Sequence, residues 1–196
     1  MSKKTGLIVL LSLSLGLLVL FLVLPKQPAS VLEKVNKPMD ADSLRLAQAI
    51  DLVNGPNPME GITILRDLVS KDSTNIDAQY WLGVFAVKSQ QFEKALARFN
   101  TVIAIDPTYM AAYLDRGVLY QEMRDTTKAL ADFRKGIEID STDVIPLYFS
   151  AQAEESLGLL VDAKKHYEQI LRHNSDTIVV NRVKDFINRI ETKLNP

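Results

Sequence analysis

The sequence predicts an all-α chain: an α-solenoid of about four helix-turn-helix repeats plus a C-terminal capping helix, preceded by one transmembrane helix. Three observations predict it. Small residues recur at a 34-residue interval in two columns, a large apolar or aromatic residue follows the second column four positions later, and a 19-residue run without a charge stands near the start.

Residues 1–5, with Lys3 and Lys4, precede the run "GLIVLLSLSLGLLVLFLVL" at 6–24. As a helix it would reach about 28 Å, close to the ~30 Å hydrocarbon core of a bilayer. The alternative is a cleaved secretory signal, whose apolar part usually holds about 7 to 15 residues and ends at a small-x-small site. Pro25, Lys26, Gln27 and Pro28 follow instead, and no such site is clean, so an uncleaved anchor is the expectation. Lys3, Lys4 and the terminal amine favour a cytoplasmic N-terminus and an exported body, periplasmic in a bacterium, although Lys26, Lys34 and Lys37 oppose this. Ser12 and Gly16 form a small-xxx-small pair through which two spans could approach. Residues 25–41 hold three of the eight prolines and little periodicity, which reads as a linker.

The body follows. Ala49, Gly83, Gly117 and Ala151 form the first small column, and Gly61, Ala95, Ala129 and Ala163 the second. Leu65, Phe99, Phe133 and Tyr167 form the large column. A glycine inside a helix costs about 1 kcal/mol relative to alanine, so Gly83 within "YWLGVFAV" implies that something needs the missing side chain. Two antiparallel helices that cross closely at small residues, with the large residue filling the adjoining space, would supply that need.

Helices are expected at 42–54, 59–70, 76–88, 92–104, 110–123, 126–138, 144–157 and 160–172. They group into repeats at 42–75, 76–109, 110–143 and 144–177. Asp125 before "TTKALADF" is a candidate N-cap, and Pro107 breaks the chain between repeats, where a missing N–H does no harm. Residues 178–196 place Val179, Val183, Phe186 and Ile190 on one stripe, which suits a helix that covers the exposed end of a stack; binding a partner is the alternative.

The period and its motif resemble the tetratricopeptide repeat, whose helix-turn-helix unit follows a W-x₂-L-G-x₂-Y…A-x₃-F…P pattern. The second repeat matches with Leu82, Gly83, Ala95, Phe99 and Pro107, departing at Gln79 and Ala86. The third supplies Tyr113, Gly117, Tyr120, Ala129 and Phe133, with Arg116 in the leucine slot and Ser141 in the proline slot. The fourth keeps Ala151, Ala163 and Tyr167; the first keeps Ala49, Leu52, Gly61 and Leu65, with "NGPNPM" as its turn. The resemblance covers residues 42–175. It implies the fold and a concave surface, lined by the first helix of each pair, that receives a peptide or helix.

By that register the lining candidates are Leu46, Ile50, Tyr80, Val84, Lys88, Leu114, Val118, Gln121, Tyr148 and Gln152. They are mainly apolar, which suits an amphipathic helix or an apolar extended segment. The family's chaperone-tail clamp uses Lys, Asn and Arg, whereas Tyr80, Val84, Leu114 and Val118 stand in the corresponding slots, so that route is not expected. The competing reading is that part of the stripe is core, or is covered by the protein's own linker or last helix.

Chemistry is sparse. The chain has no cysteine, which excludes disulfides, thiolate metal sites and a cysteine nucleophile. Glycine-rich phosphate loops, G-x-S-x-G and H-E-x-x-H are absent from the sequence, so no catalytic residue, cofactor or metal is expected and the chain does not read as an enzyme. His166 and His173 read as surface or interhelix residues; two imidazoles alone rarely make a metal site without a carboxylate partner, for which Glu168 or Asp162 could serve. Asp72, Asp106 and Asp140 recur between repeats, where the family commonly has an acid, and read as structural. Residues 1–41 carry five basic and two acidic residues, leaving the rest net negative, and no basic stripe interleaves with aromatics; nucleic acid is not an expected partner.

Two functions from different classes follow. The first is a membrane-anchored adaptor or scaffold that binds a peptide or helix of an envelope protein in its groove, similar to periplasmic repeat proteins of assembly, export or maturation. The second is a permanent structural subunit of a membrane complex. An unrecognised enzyme comes third, and the oligomeric state is open.

Overall fold

The computed structural model describes residues 40–195, and these form nine α-helices. They are α1 (Ala41–Asn54), α2 (Pro58–Lys71), α3 (Ile76–Lys88), α4 (Phe92–Ile105), α5 (Met110–Glu122), α6 (Thr126–Ile139), α7 (Val144–Ser156), α8 (Leu160–His173) and α9 (Thr177–Leu194). The expected span at 6–24 and all but the last two residues of the expected linker lie outside the described residues. Among the described residues no helix is long and apolar enough to cross a membrane.

Each helix packs on the next in sequence, so α1 to α8 make four antiparallel hairpins stacked side by side, and α9 packs on α8. The chain enters its helices by repeated devices. Asn75 accepts from the Ala78 N–H, Asp125 from Lys128, Asp143 from Ile145, and Asp176 from both Ile178 and Val179, each satisfying donors that a helix start leaves free.

Inside the second, third and fourth hairpins the turn is a Schellman closure. The N–H groups of Gln91, Asp125 and Leu159 each reach five residues back, to Ala86, Tyr120 and Glu154, at 2.8 Å. The residue before each has positive φ: Gln90 at 56°, Arg124 at 61° and Gly158 at 76°. Only the last is the residue type that takes this conformation at no steric cost.

Between hairpins a second device recurs. Oδ1 of Asp72, Asp106 and Asp140 accepts from the backbone N–H of Thr74, Thr108 and Thr142, each at 2.8 Å, and from the same threonines' hydroxyls. This Asx-turn explains why an acid recurs there.

The core runs through the stack. Ala49, Ala95, Ala129, Ala151 and Ala163 have no exposed surface, nor do Leu65, Phe99, Phe133 and Tyr167. A Cβ on Gly83 would fall 2.7 Å from Phe99 Cε1, and one on Gly117 2.5 Å from Phe133 Cε1. The first hairpin closes from the other side: a Cβ on Gly61 would meet the Ala49 carbonyl oxygen at 2.5 Å and Val53 Cγ2 at 2.8 Å. Close approach therefore sits at one column or the other, depending on which helix lacks the side chain.

Polar groups are also buried between neighbouring helices, both within a hairpin and across to the next. Arg116 forms two hydrogen bonds with the buried Asp132, at 2.8 and 2.6 Å, and a third with Asn100. Glu154, fully buried, is held by Arg134 at 2.9 Å and by His166 Nδ1 at 2.7 Å. His166 thus sits between helices, and among the described residues no three or more His, Asp and Glu side chains converge as a metal-binding group.

Candidate functional site

The first helices of successive hairpins touch directly, α1 with α3 and α3 with α5, so their shared side is the tight, inner side of the stack. The ten groove residues expected from the sequence lie on these helices. Leu46, Ile50, Tyr80, Val84, Leu114, Val118, Gln121, Tyr148 and Gln152 are half-buried and Lys88 is exposed. The apolar rows pack partly on their neighbours: Tyr80 and Val84 against the core around Phe99, Leu114 and Val118 against the core around Phe133. The stripe is therefore both core rim and groove floor.

Its chemistry changes along the stack. Lys88 Nζ donates to Asn54 Oδ1 at 2.6 Å, tying the first two hairpins together. At the α3–α5 junction the Tyr80 hydroxyl donates to Asp115 Oδ2 at 2.7 Å, and the Tyr109 ring lies 5.3 Å from the Tyr80 ring with its hydroxyl 3.2 Å from Asp77. Burial pushes the Tyr80 hydroxyl well above its ordinary range, with the Asp115 hydrogen bond adding to the shift. Tyr109 is pushed up to about 12, again mainly by burial. Burial also raises the Asp115 carboxyl, against the opposing effect of the Tyr80 hydrogen bond. This part of the groove is closed by its own side chains.

The last junction is open. Between α7 and α9 lies a cavity of about 320 Å³ whose walls include Ile145, Tyr148 and Phe149 on one side and Ile178, Val179 and Val183 on the other, with Arg182 beside them. Toward the other end of the same two helices is a polar hollow of about 430 Å³ lined by Gln121, Gln152, Glu155, Tyr167, Arg189 and Lys193. Glu155 accepts from Arg189 and Lys193, both at 2.9 Å; burial pushes its carboxyl up, but these two bonds outweigh burial and hold it below the usual range.

Of the expected groove residues, Tyr148 reaches the apolar cavity, and Gln121 and Gln152 reach the polar hollow. Ile145, Ile178 and Arg182 were missed. Carrying the 34-residue period one step past Tyr148 lands on Arg182, which is the signal that would have found it.

Family models described as TPR repeat and tetratricopeptide repeat match residues 86–123 and 111–143, so this stretch carries tetratricopeptide repeats. Human superkiller complex protein 3 is 25% identical over 142 residues, 71% of this chain. The chain spans only about 9% of that relative's length. A MamA segment from Desulfovibrio magneticus RS-1 superposes with a TM-score of 0.66 at 12% identity, covering 81% of this chain and 88% of that one. The first TPR of Spaghetti (RPAP3), bound to the HSP90 peptide SRMEEVD, superposes with a TM-score of 0.56 at 18% identity, covering 64% of this chain and 97% of that one. These structural likenesses establish the fold as an all-helical, tetratricopeptide-type solenoid.

Proposed function

We propose that the chain is a non-catalytic adaptor that binds a peptide or helix of another protein along its first-helix groove, and that the apolar run at 6–24 anchors it in a membrane so that the partner is an envelope protein. The observation that carries the binding half is the half-buried stripe Tyr80, Val84, Leu114, Val118 and Tyr148, which ends in an open apolar cavity of about 320 Å³. An apolar surface rimmed by polar groups is what an amphipathic partner covers. A similar fold holding an HSP90 peptide supports peptide binding as a use of this architecture. The anchoring half rests on length and lack of charge in 6–24 alone, with the N-terminus cytoplasmic and the repeats exported.

A permanent subunit of a membrane complex would use the same surfaces. Purification of the full chain in mild detergent separates the two readings: an adaptor yields partners below unit stoichiometry that a competing peptide displaces, a subunit yields a fixed ratio. Val84→Glu, which puts a charge on the groove floor, should abolish partner recovery. Undiminished recovery with that variant would place the partner elsewhere on the molecule.

A further inference from the structure

We infer that the α7–α9 cavity receives one aromatic side chain from an acidic segment of a partner protein, with a neighbouring carboxylate of that segment pairing with Arg182; this rests on the groove reading above.

One junction of the stack is already filled by its own side chain. On α3, the face formed by Asp77 and Tyr80 is covered by the Tyr109 ring. Two periods later the same face, on α7, is Ile145 and Tyr148, and the residue in the place of Tyr109 is Thr177. A tyrosine's worth of packing is missing there, and the consequence is measurable: Ile145 is 49% exposed and Ile178, across the gap, is 74% exposed. The cavity they flank is about 320 Å³, at the small end of the volume that ligand sites occupy. A ring from another chain would cover what Tyr109 covers within this one.

Charge selects the rest of the segment. The basic residues Arg189 and Lys193 of α9 are committed to Glu155. Arg182 is exposed and has no hydrogen-bond or ion-pair partner among the described residues. Asp143 and Asp176 are turned to the starts of α7 and α9, where they accept from Ile145 and Ile178, and Asp185, three residues on from Arg182 along α9, forms no ion pair with it among the described residues. An unpaired guanidinium beside an apolar wall favours a carboxylate on the incoming segment and repels a basic one.

A random dodecapeptide library is selected on the full chain in mild detergent, and the selected peptides are resynthesised with a fluorophore for affinity measurement. Peptides should carry Phe, Tyr or Trp within a few residues of Asp or Glu. Thr177→Tyr should weaken them at least tenfold by filling the cavity. Arg182→Glu, at an exposed position where folding is not at stake, should weaken them as much and regain affinity when the peptide's acid is changed to lysine. Selected peptides without that pairing, or both variants binding like the parent chain, overturn the inference. If Val84→Glu alone abolishes binding, the groove reading stands and this one falls; if no peptide is selected, both fall. A dimer of the parent chain that Thr177→Tyr dissociates makes the occupant a second copy, which also overturns it.

Discussion

The Phe99 ring occupies the space a side chain on Gly83 would need: a Cβ there would lie 2.7 Å from Phe99 Cε1 and 3.2 Å from Arg98 Cβ. Real Cβ atoms essentially never come within 3.0 Å of such a neighbour, so the ring must move or the helices must part. Gly83→Ala gains about 1 kcal/mol of helix propensity, yet overpacking of a filled core costs about 1 to 3 kcal/mol. Gly83→Leu should accordingly destabilise the protein by at least that range, and Gly83→Ala should show no net gain. Combining Gly83→Ala with Phe99→Leu should recover part of the loss, because the two share one space. Urea unfolding measures all three; a Gly83→Leu protein as stable as the parent would mean that α3 and α4 do not close at this point.

The acids between hairpins make a pH prediction. Hydrogen bonds from the threonine hydroxyl first, and then from its backbone N–H, hold Asp72, Asp106 and Asp140 below the ordinary carboxyl value of 3.8. A carboxyl whose folded value lies below its unfolded one stabilises the native state above the unfolded value and loses that contribution as pH falls through the folded one. The melting temperature should therefore drop on acidification below about pH 4. Replacing all three by asparagine, which can still accept the bonds, should flatten the drop. Asp115 acts the other way, since burial raises it: its contribution is complete below the unfolded value and is lost as pH rises through the folded one. Asp115→Asn should melt at or above the parent at neutral pH, and the difference should vanish in acid.

What was legible in the sequence was whatever backbone spacing alone dictates. The two small columns, the aromatic column and the recurrent aspartates each reflect a contact that every repeat must make, so the period exposes them, and helix limits followed within one or two residues. Residues whose roles depend on a partner elsewhere were not legible. Arg116 stands in an apolar slot of the repeat and is accommodated only because Asp132 and Asn100 answer it. Glu154 has the polarity of a surface residue and is fully buried between Arg134 and His166. Gln90 and Arg124 adopt left-handed backbone with no glycine to announce it. The groove stripe was visible as a pattern, but how far its own neighbours cover it was not, because Tyr109 fills one junction and Thr177 leaves another open.

The last helix allows a prediction about local stability. Val183 and Ile190 of α9 are buried, and the Phe186 ring lies 5.2 Å from Tyr167 and 6.2 Å from Tyr148, so α9 covers the face that α7 and α8 would otherwise expose. Each such side chain contributes about 1.5 to 3 kcal/mol when fully buried, and in a stack each hairpin leans only on its neighbours. A chain ending at residue 175 should thus lose amide protection in α7 and α8 while α3 to α6 keep theirs, a split that hydrogen exchange resolves helix by helix. Full protection of α7 and α8 in the shortened chain would mean that α9 is not needed as a lid for the stack.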